Sequence, residues 1–141
     1  MHCNLGEVEK AGQFATSALA AATQAADNWA MGWALHVLTM VTALQGKVSE
    51  SLILFDQALA VTDADPALTD LRILLQVNRA VMLGDLCEYD DAFAAARHAQ
   101  QLADQVGTVI RLGQAHCVLA QLFFETGRWD DALVAQADRS P

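Results

Sequence analysis

Apolar residues recur along this chain at intervals of three and four residues, which is the period of an amphipathic α-helix. In the first segment, residues 6–26, the apolar positions are Val8, Ala11, Ala15, Ala18, Leu19 and Ala22. Strict alternation of apolar and polar residues never persists over four residues between turn residues, so no β-strand is expected. The pattern therefore predicts an all-α fold.

Turn and capping residues divide this pattern into about seven helices. Asp27 or Asn28 supplies an N-cap for the second helix. Asp65 and Pro66 supply an N-cap and a first helical residue for the fourth, and Gly107 is expected to end the fifth. The predicted helices span residues 6–26, 28–45, 48–62, 66–86, 89–106, 109–126 and 128–141.

One short turn segment occurs four times at near-constant spacing. The last copy is TGRWDDAL (126–133), and the earlier copies are LGEVEKA (5–11), QGKVSES (45–51) and LCEYDDA (86–92). The glycine slot, which Cys87 fills in the third copy, falls at positions 6, 46, 87 and 127, at steps of 40, 41 and 40 residues. A fixed period in this range predicts stacked helical repeats. A left-handed residue at the slot ends one helix, and carboxylates favour the start of the next.

The repeat pattern covers residues 1–141, which we assign to a single domain with turns near 6, 46, 87 and 127. The pattern opens on the second helix of a pair and stops inside the second helix of the last pair. Neither end carries the polar capping helix that a solenoid needs for solubility. We expect a fragment of a longer protein, or a short chain that self-associates through its exposed half-repeat ends.

Composition and charge exclude several classes of protein. The chain has a net charge of −9 and a pI near 4.6, so this segment lacks the basic surface of a nucleic-acid binder. It has no run of 18 uncharged apolar residues and no signal-peptide layout, so we expect a soluble protein without membrane contact. Its three cysteines are an odd number without a C-x-x-C pair, which favours the reduced cytoplasm.

No pattern of residues indicates catalysis or a cofactor. The acidic pairs at 90–91 and 130–131 each lie in the first turn of a predicted helix, where the helix dipole favours carboxylates. The pair Gly46-Lys47 is not a P-loop, because Val41 occupies the place of its first glycine and Val48 that of the Ser or Thr that would hold magnesium. We therefore expect neither an enzyme nor a bound cofactor.

The remaining reactive and aromatic residues have structural explanations. His2-Cys3 and His116-Cys117 resemble metal pairs, but neighbours on a helix point in different directions and metal ligands must converge, so no metal site is expected. Cys87 lacks the cationic neighbour of a reactive thiol. Trp29 and Trp33 lie one helical turn apart. They form either a binding surface or, as we expect, buried packing against the first helix.

Polar residues interrupt the apolar pattern of the fourth helix. Asn78 and Arg79 stand where the second and sixth helices carry apolar residues. If the alignment of these helices shifts by one residue, only Asn78 keeps a position that is expected to be buried. A buried amide must find partners, in an internal hydrogen-bond network or in a ligand or partner site. The predicted second, fourth and sixth helices each have no net charge, so positive charge on them is confined to individual side chains. The candidate contacts are Arg72, Gln76, Asn78, Arg79, Arg111 and Gln114.

These helix pairs resemble tetratricopeptide repeats, in which small residues occupy fixed contact points. Ala18, Ala58 and Ala99 stand at one such point, 12 residues after each turn, and Phe55 fills another. Residues 119–123 (LAQLF) stand in for the L-G-x-x-Y motif. The usual period is about 34 residues, so each pair here is longer. The resemblance implies a right-handed superhelix of antiparallel helix pairs whose first helices line a concave face.

Longer repeats of this kind resemble the helical arm of large ATP-binding LuxR-type (MalT-like) bacterial transcription regulators. Residues 70–80 (DLRILLQVNRA) with the turn at 89–92 (YDDA), and residues 124–132 (FETGRWDDA), carry this likeness. It implies a regulatory arm between an ATPase and a helix-turn-helix domain, relaying a signal between neighbouring domains of one chain.

Two other functions remain open from the residues. The chain is a stand-alone adaptor that binds a peptide or protein in its concave groove, or a sensor whose apolar pocket between helices holds a small-molecule inducer. An arginine-bearing concave face would hold a carboxylate, an acidic helix or a phosphorylated partner through forked hydrogen bonds. The carboxylate clamp of tetratricopeptide proteins is not expected, because only Asn78 matches it.

Overall fold

In the computed structural model, which describes residues 4–106 and 108–137, the chain is helical apart from its turns and caps. Within these ranges there are seven α-helices and no strand: α1 (Leu5–Ala25), α2 (Asn28–Leu44), α3 (Val48–Asp63), α4 (Thr69–Asp85), α5 (Tyr89–Val106), α6 (Val109–Glu125) and α7 (Trp129–Ala137). The predicted all-α fold with about seven helices is confirmed. Predictions about His2-Cys3, Gly107 and residues 138–141 lie outside the described residues. None of the described helices combines the length and the apolar character needed to cross a bilayer.

The fourth helix begins three residues later than predicted. Pro66–Leu68 forms a 3-10 turn instead, and Asp65 caps it by accepting a hydrogen bond from the N–H of Ala67 at 2.9 Å. The N–H of Leu68 also donates to the carbonyl of Asp65 at 3.0 Å, which is the three-residue bond of a 3-10 turn. Such bonds tighten a helix end, so α4 starts only at Thr69.

Three of the four glycine-slot residues adopt the left-handed backbone that the repeat predicts. The φ angles are +77° at Gly46, +61° at Cys87 and +78° at Gly127. In each turn the next N–H donates to a carbonyl five residues back, as in Lys47 to Thr42 at 3.0 Å. The first copy differs, because Gly6 is the second residue of α1 and its N–H donates to the side chain of Asn4.

Packing divides the chain into two compact units, residues 1–71 and residues 72–141. The first holds α1, α2 and α3, and the second holds most of α4 together with α5, α6 and α7. The single domain and the right-handed superhelix stay predictions.

Small residues let the helices of the first unit approach closely. α2 packs against both α1 and α3, and a Cβ atom on Gly32 of α2 would lie only 2.9 Å from Leu71. On α3, Ala58 and Phe55 are completely buried, as their repeat positions predict. Ala18, at the equivalent position of α1, is exposed instead.

The second unit is packed in the same manner. α6 packs against both α5 and α7, and a Cβ atom on Gly84 of α4 would lie 2.9 Å from Leu122 of α6. The buried side of α5 is made almost wholly of alanine, which brings the neighbouring helix close to its backbone. These residues are Ala92, Ala95, Ala96, Ala99 and Ala103.

Candidate binding sites

All six candidate contacts predicted from the sequence belong to the second unit. Gln76 is buried, with 9% of its surface exposed, and the other five are half-buried. α4 and α6 are neighbours, since Gly84 approaches Leu122. Arg72, Gln76, Asn78 and Arg79 lie on α4, and Arg111 and Gln114 lie on α6.

Hydrogen bonds order the side chains of Arg111 and Arg72. On α6, Nη1 of Arg111 donates to Oε1 of Gln114 at 2.9 Å. On α4, Nη2 of Arg72 makes a long contact of 3.5 Å with Nε2 of His98 on α5. Because a guanidinium only donates, the His98 nitrogen is the acceptor. The structure thus joins Arg111 to Gln114 and turns Arg72 towards α5.

The amides of Gln76 and Asn78 have no hydrogen-bond partner among residues 4–106 and 108–137. Neither side chain makes a hydrogen bond to another residue in the described part of the chain. The internal network expected around Asn78 is therefore not found there, and Asn78 is half-buried rather than enclosed. Both amides keep donors and acceptors for water or for a partner, and the role of the six residues stays a prediction.

A separate cleft, which we call the polar cleft, lies where α5, α6 and α7 meet. Its volume is about 230 Å³. α6 and α7 each contribute polar and apolar side chains to its walls, and α5 contributes polar side chains only. The lining residues are Arg97 and Gln100 of α5, His116, Leu119 and Phe123 of α6, and Asp131, Val134 and Ala135 of α7.

A histidine and a glutamine meet in the wall of the polar cleft. Nε2 of His116 lies 3.0 Å from the amide nitrogen of Gln100, so the amide donates to the ring. Only 6% of the His116 surface is exposed, and its Nδ1 atom has no hydrogen-bond partner among the described residues. An unpaired buried nitrogen costs about 1–3 kcal/mol, so this arrangement is not explained by stability alone.

Two arginines flank an aromatic pair at the edge of the polar cleft. The rings of Phe93 and Phe123 lie 5.0 Å apart. The guanidinium of Arg97 lies 5.6 Å from the Phe93 ring centre, and that of Arg128 lies 4.8 Å from the Phe123 ring centre. Arg128 also pairs with Asp131 at 2.8 Å. Arg97 makes no ion pair with any residue that the structure describes, so its charge is not neutralised locally.

Sequence reasoning missed the polar cleft because its members come from three helices. In the sequence, His116 is notable only as the neighbour of Cys117. In the structure His116 is buried and Cys117 is exposed, so the two side chains diverge. A usable signal was the pair Arg97 and Gln100, which are three residues apart on an otherwise alanine-rich helix and therefore share a face. Periodicity cannot show which residue of α6 faces that pair.

An apolar groove lies on the first unit, and we call it the α1/α2 groove. Its volume is about 460 Å³, and no charged residue lines it. Phe14 is 77% exposed and Trp29 is 62% exposed. The lining residues are Ala11, Phe14, Ala15, Ala18, Trp29, Ala30, Trp33, Ala34 and Val37.

The expected burial of the tryptophan pair is wrong for Trp29. Its ring lies 6.3 Å from that of Trp33, which is half-buried, but α1 does not cover it. The reason is size: the α1 positions that line the groove include three alanines, whose side chains are too short to enclose an indole. The alternative drawn from the sequence, an aromatic binding surface, describes this pair better.

A second apolar face lies between α6 and α7, where it lines an open cleft of about 520 Å³. Phe124 and Trp129 are both 64% exposed there, and their rings lie 6.5 Å apart. Gln121 and Gln136 add amide groups to this face. It is thus less uniformly apolar than the α1/α2 groove.

The fold perturbs the pKa of Tyr89, which lies outside these sites. Its pKa is raised first by a hydrogen bond with Cys87, then by desolvation and by negative charge on Cys87, Glu125 and Asp85. A raised pKa means that the folded chain favours the neutral phenol. This contribution to stability is present below the ordinary pKa of Tyr and is lost as the pH rises through the folded value.

Comparison with known proteins identifies no relative: no protein-family model, no curated protein and no solved structure matches the chain.

Proposed function

We propose that this chain is a non-catalytic helical-repeat module that binds an amphipathic helix of a protein partner in the α1/α2 groove. The observation that carries the proposal is the exposure of Phe14 and Trp29 over a groove without charged lining residues. Contiguous exposed apolar surface of this kind marks an interaction site. Aromatic side chains are also the residues that most often dominate binding energy.

The shape of the groove favours a helix as its occupant. Five of its nine lining residues are alanines, contributed by both α1 and α2. Within this molecule alanine-rich faces receive helices, as the buried alanines of α5 receive α6. A helix that lays its apolar face into such a groove is a recurring mode of peptide recognition.

Charge around the groove specifies the partner further. Glu7, Glu9 and Lys10 are the charged residues of α1, and Asp27 caps the start of α2. α2 itself, Asn28–Leu44, has no charged residue. α1 and the cap of α2 together carry three carboxylates and one ammonium group, so a helix with basic residues is favoured.

The groove proposal is tested by recovering partners from cells that express the tagged chain. The double substitution Phe14→Ser and Trp29→Ser removes the exposed aromatic groups without touching the core. It is expected to reduce recovery of the true partner at least tenfold, since aromatic contacts of this kind contribute about 2 kcal/mol or more each. A synthetic peptide of the partner's basic amphipathic helix should then bind the purified chain and change its tryptophan fluorescence.

Phe124→Ser is the matched control, because Phe124 is similarly exposed but belongs to the second unit. It is expected to keep the partner. Equal recovery with the double variant and with the unchanged chain would contradict the proposal, as would a partner whose helical peptides do not bind.

We further propose that the module is the signal-relay arm of a LuxR-type (MalT-like) regulator. The left-handed turns at Gly46, Cys87 and Gly127 and the all-helical fold support this assignment. Its test is the full gene, in which a P-loop ATPase domain upstream and a helix-turn-helix domain downstream are expected. A gene that lacks both favours the stand-alone adaptor instead.

A further inference from the structure

We propose that the polar cleft of the second unit binds a carboxylate attached to a small apolar group. This site is independent of the helix-binding groove, which lies in the first unit. The ligand is either a free monocarboxylic acid or the C-terminal residue of a peptide, because both present the same chemistry.

Arg97 provides the charge that a carboxylate requires. Its guanidinium has no ion pair with the described residues and stacks near Phe93, with 5.6 Å between the guanidinium carbon and the ring centre. Stacking restricts the side chain before any ligand arrives, so less entropy is lost on binding. A guanidinium also matches the two oxygens of a carboxylate with parallel N–H donors.

Gln100 adds a second donor at a defined orientation. One N–H of its amide is used on Nε2 of His116, 3.0 Å away, which leaves the other N–H for the ligand. His116 is buried and held in α6, so it acts as a positioning residue that fixes the amide. No described residue makes a hydrogen bond with its Nδ1.

The remaining walls of the cleft select the apolar part of the ligand. Leu119 and Phe123 of α6 and Val134 and Ala135 of α7 line the space. A volume of about 230 Å³ corresponds to about eight water molecules. A branched chain of four or five carbons fits this space.

The charge balance of the cleft favours a single negative charge. Asp131 lines the cleft but is paired with Arg128 at 2.8 Å, so Arg97 is the cation left over. A phosphate, with more negative charge, would meet the Asp131 carboxylate with Arg97 as the only Lys or Arg among the described lining residues. The site therefore takes a monocarboxylate.

The test is a titration of the isotope-labelled chain followed by NMR. The probes are 3-methylbutanoate and its uncharged amide, and an acetylated tetrapeptide ending in valine with either a free or an amidated C-terminus. Binding is expected for at least one carboxylate probe, with shifts centred on Leu119, Phe123 and Val134, and for neither amide. Binding of the free acid alone identifies a small-molecule ligand, and binding of the peptide alone identifies a peptide terminus.

Substitutions make the test specific. Arg97→Gln should weaken binding of the carboxylate probe at least about tenfold, since charge-assisted hydrogen bonds are lost. His116→Ala should weaken it less, and Gln100→Ala in that background should add little, as expected if His116 acts through Gln100. Lys47→Gln, which removes an exposed charge in the first unit, is the control and should leave affinity unchanged.

Three results would overturn the proposal: no shift with any carboxylate probe at millimolar concentrations, equal shifts with the amides, or unchanged affinity in a folded Arg97→Gln chain. Arg97 is exposed, so this variant is expected to keep the circular dichroism spectrum and the melting temperature of the parent. Failure here would leave the groove proposal standing, because the groove variants lie in the other unit.

Discussion

At the scale of single residues, the repeat turn shows how one backbone angle determines residue choice. The left-handed φ of about +80° at Gly46 and Gly127 carries no penalty for glycine, whereas Cys87 adopts +61° with a side chain. A non-glycine residue in this region costs about 1–2 kcal/mol. The third turn is therefore strained relative to the other two.

Cys87→Gly is expected to stabilise the chain by about 0.5–1 kcal/mol, because relief of left-handed strain exceeds the extra entropy that glycine loses on folding. Urea unfolding followed by circular dichroism measures the change as a higher midpoint at unchanged slope. Gly127→Ala is the reciprocal variant, expected to destabilise by about 1 kcal/mol or more. If Cys87→Gly lowers the midpoint, the contact of Cys87 with Tyr89 contributes more than the strain removes.

At the scale of elements, small residues determine how closely helices approach. Gly84 of α4 faces Leu122 of α6, and a Cβ atom there would come within 2.9 Å of the leucine methyl. A Cβ atom added to Gly113, inside α6, would meet no side chain or neighbouring helix within 4 Å. The same residue type thus supports a helix contact at one position and only weakens a helix at the other.

Gly84→Leu is expected to destabilise the chain by about 1–3 kcal/mol, because the added side chain must displace Leu122 or separate α4 from α6. Leu122→Ala in the same chain should recover part of this loss, since it removes the group that clashes. The coupling is measured by a double-mutant cycle in urea. Gly113→Leu, placed where space is open, should be neutral or stabilising. A Gly84→Leu chain as stable as the parent would show that the two helices can separate without loss of stability.

At the scale of the whole chain, charge is the dominant general property. Asp and Glu number 17 against eight Lys and Arg, which gives a net charge of −9. Repulsion among unpaired carboxylates disfavours a compact state, and salt screens it within about 10 Å at 0.1 M. Exposed ion pairs offset this repulsion only weakly, because each contributes about 0–1 kcal/mol.

Raising the NaCl concentration from about 0.05 M to about 0.5 M is therefore expected to raise the melting temperature by a few degrees. Differential scanning calorimetry at constant pH provides the measurement. KCl should produce the same shift, which distinguishes screening from binding of a particular cation. A melting temperature that stays constant or falls would indicate that the ion pairs of the folded chain outweigh the general repulsion.

Some features of the binding sites could be inferred from sequence, and others could not. Asn78 and Arg79 are indicated because equivalent helices carry apolar residues at those positions, and both belong to the second unit. The polar cleft could not be predicted, because Arg97 and His116 lie on different helices and no sequence spacing relates them. A repeat period relates positions that are equivalent, not positions that touch.

The sequence by itself determined the helical class, most of the helix starts and three of the left-handed turns, since periodicity, caps and glycine act over a few residues. Exposure was decided only in three dimensions. Gly84 and Phe124 lie 40 residues apart at equivalent repeat positions, yet Gly84 is buried against Leu122 and Phe124 is exposed. Burial depends on which helix comes to lie against a face, and that is a property of long-range packing that no local pattern contains.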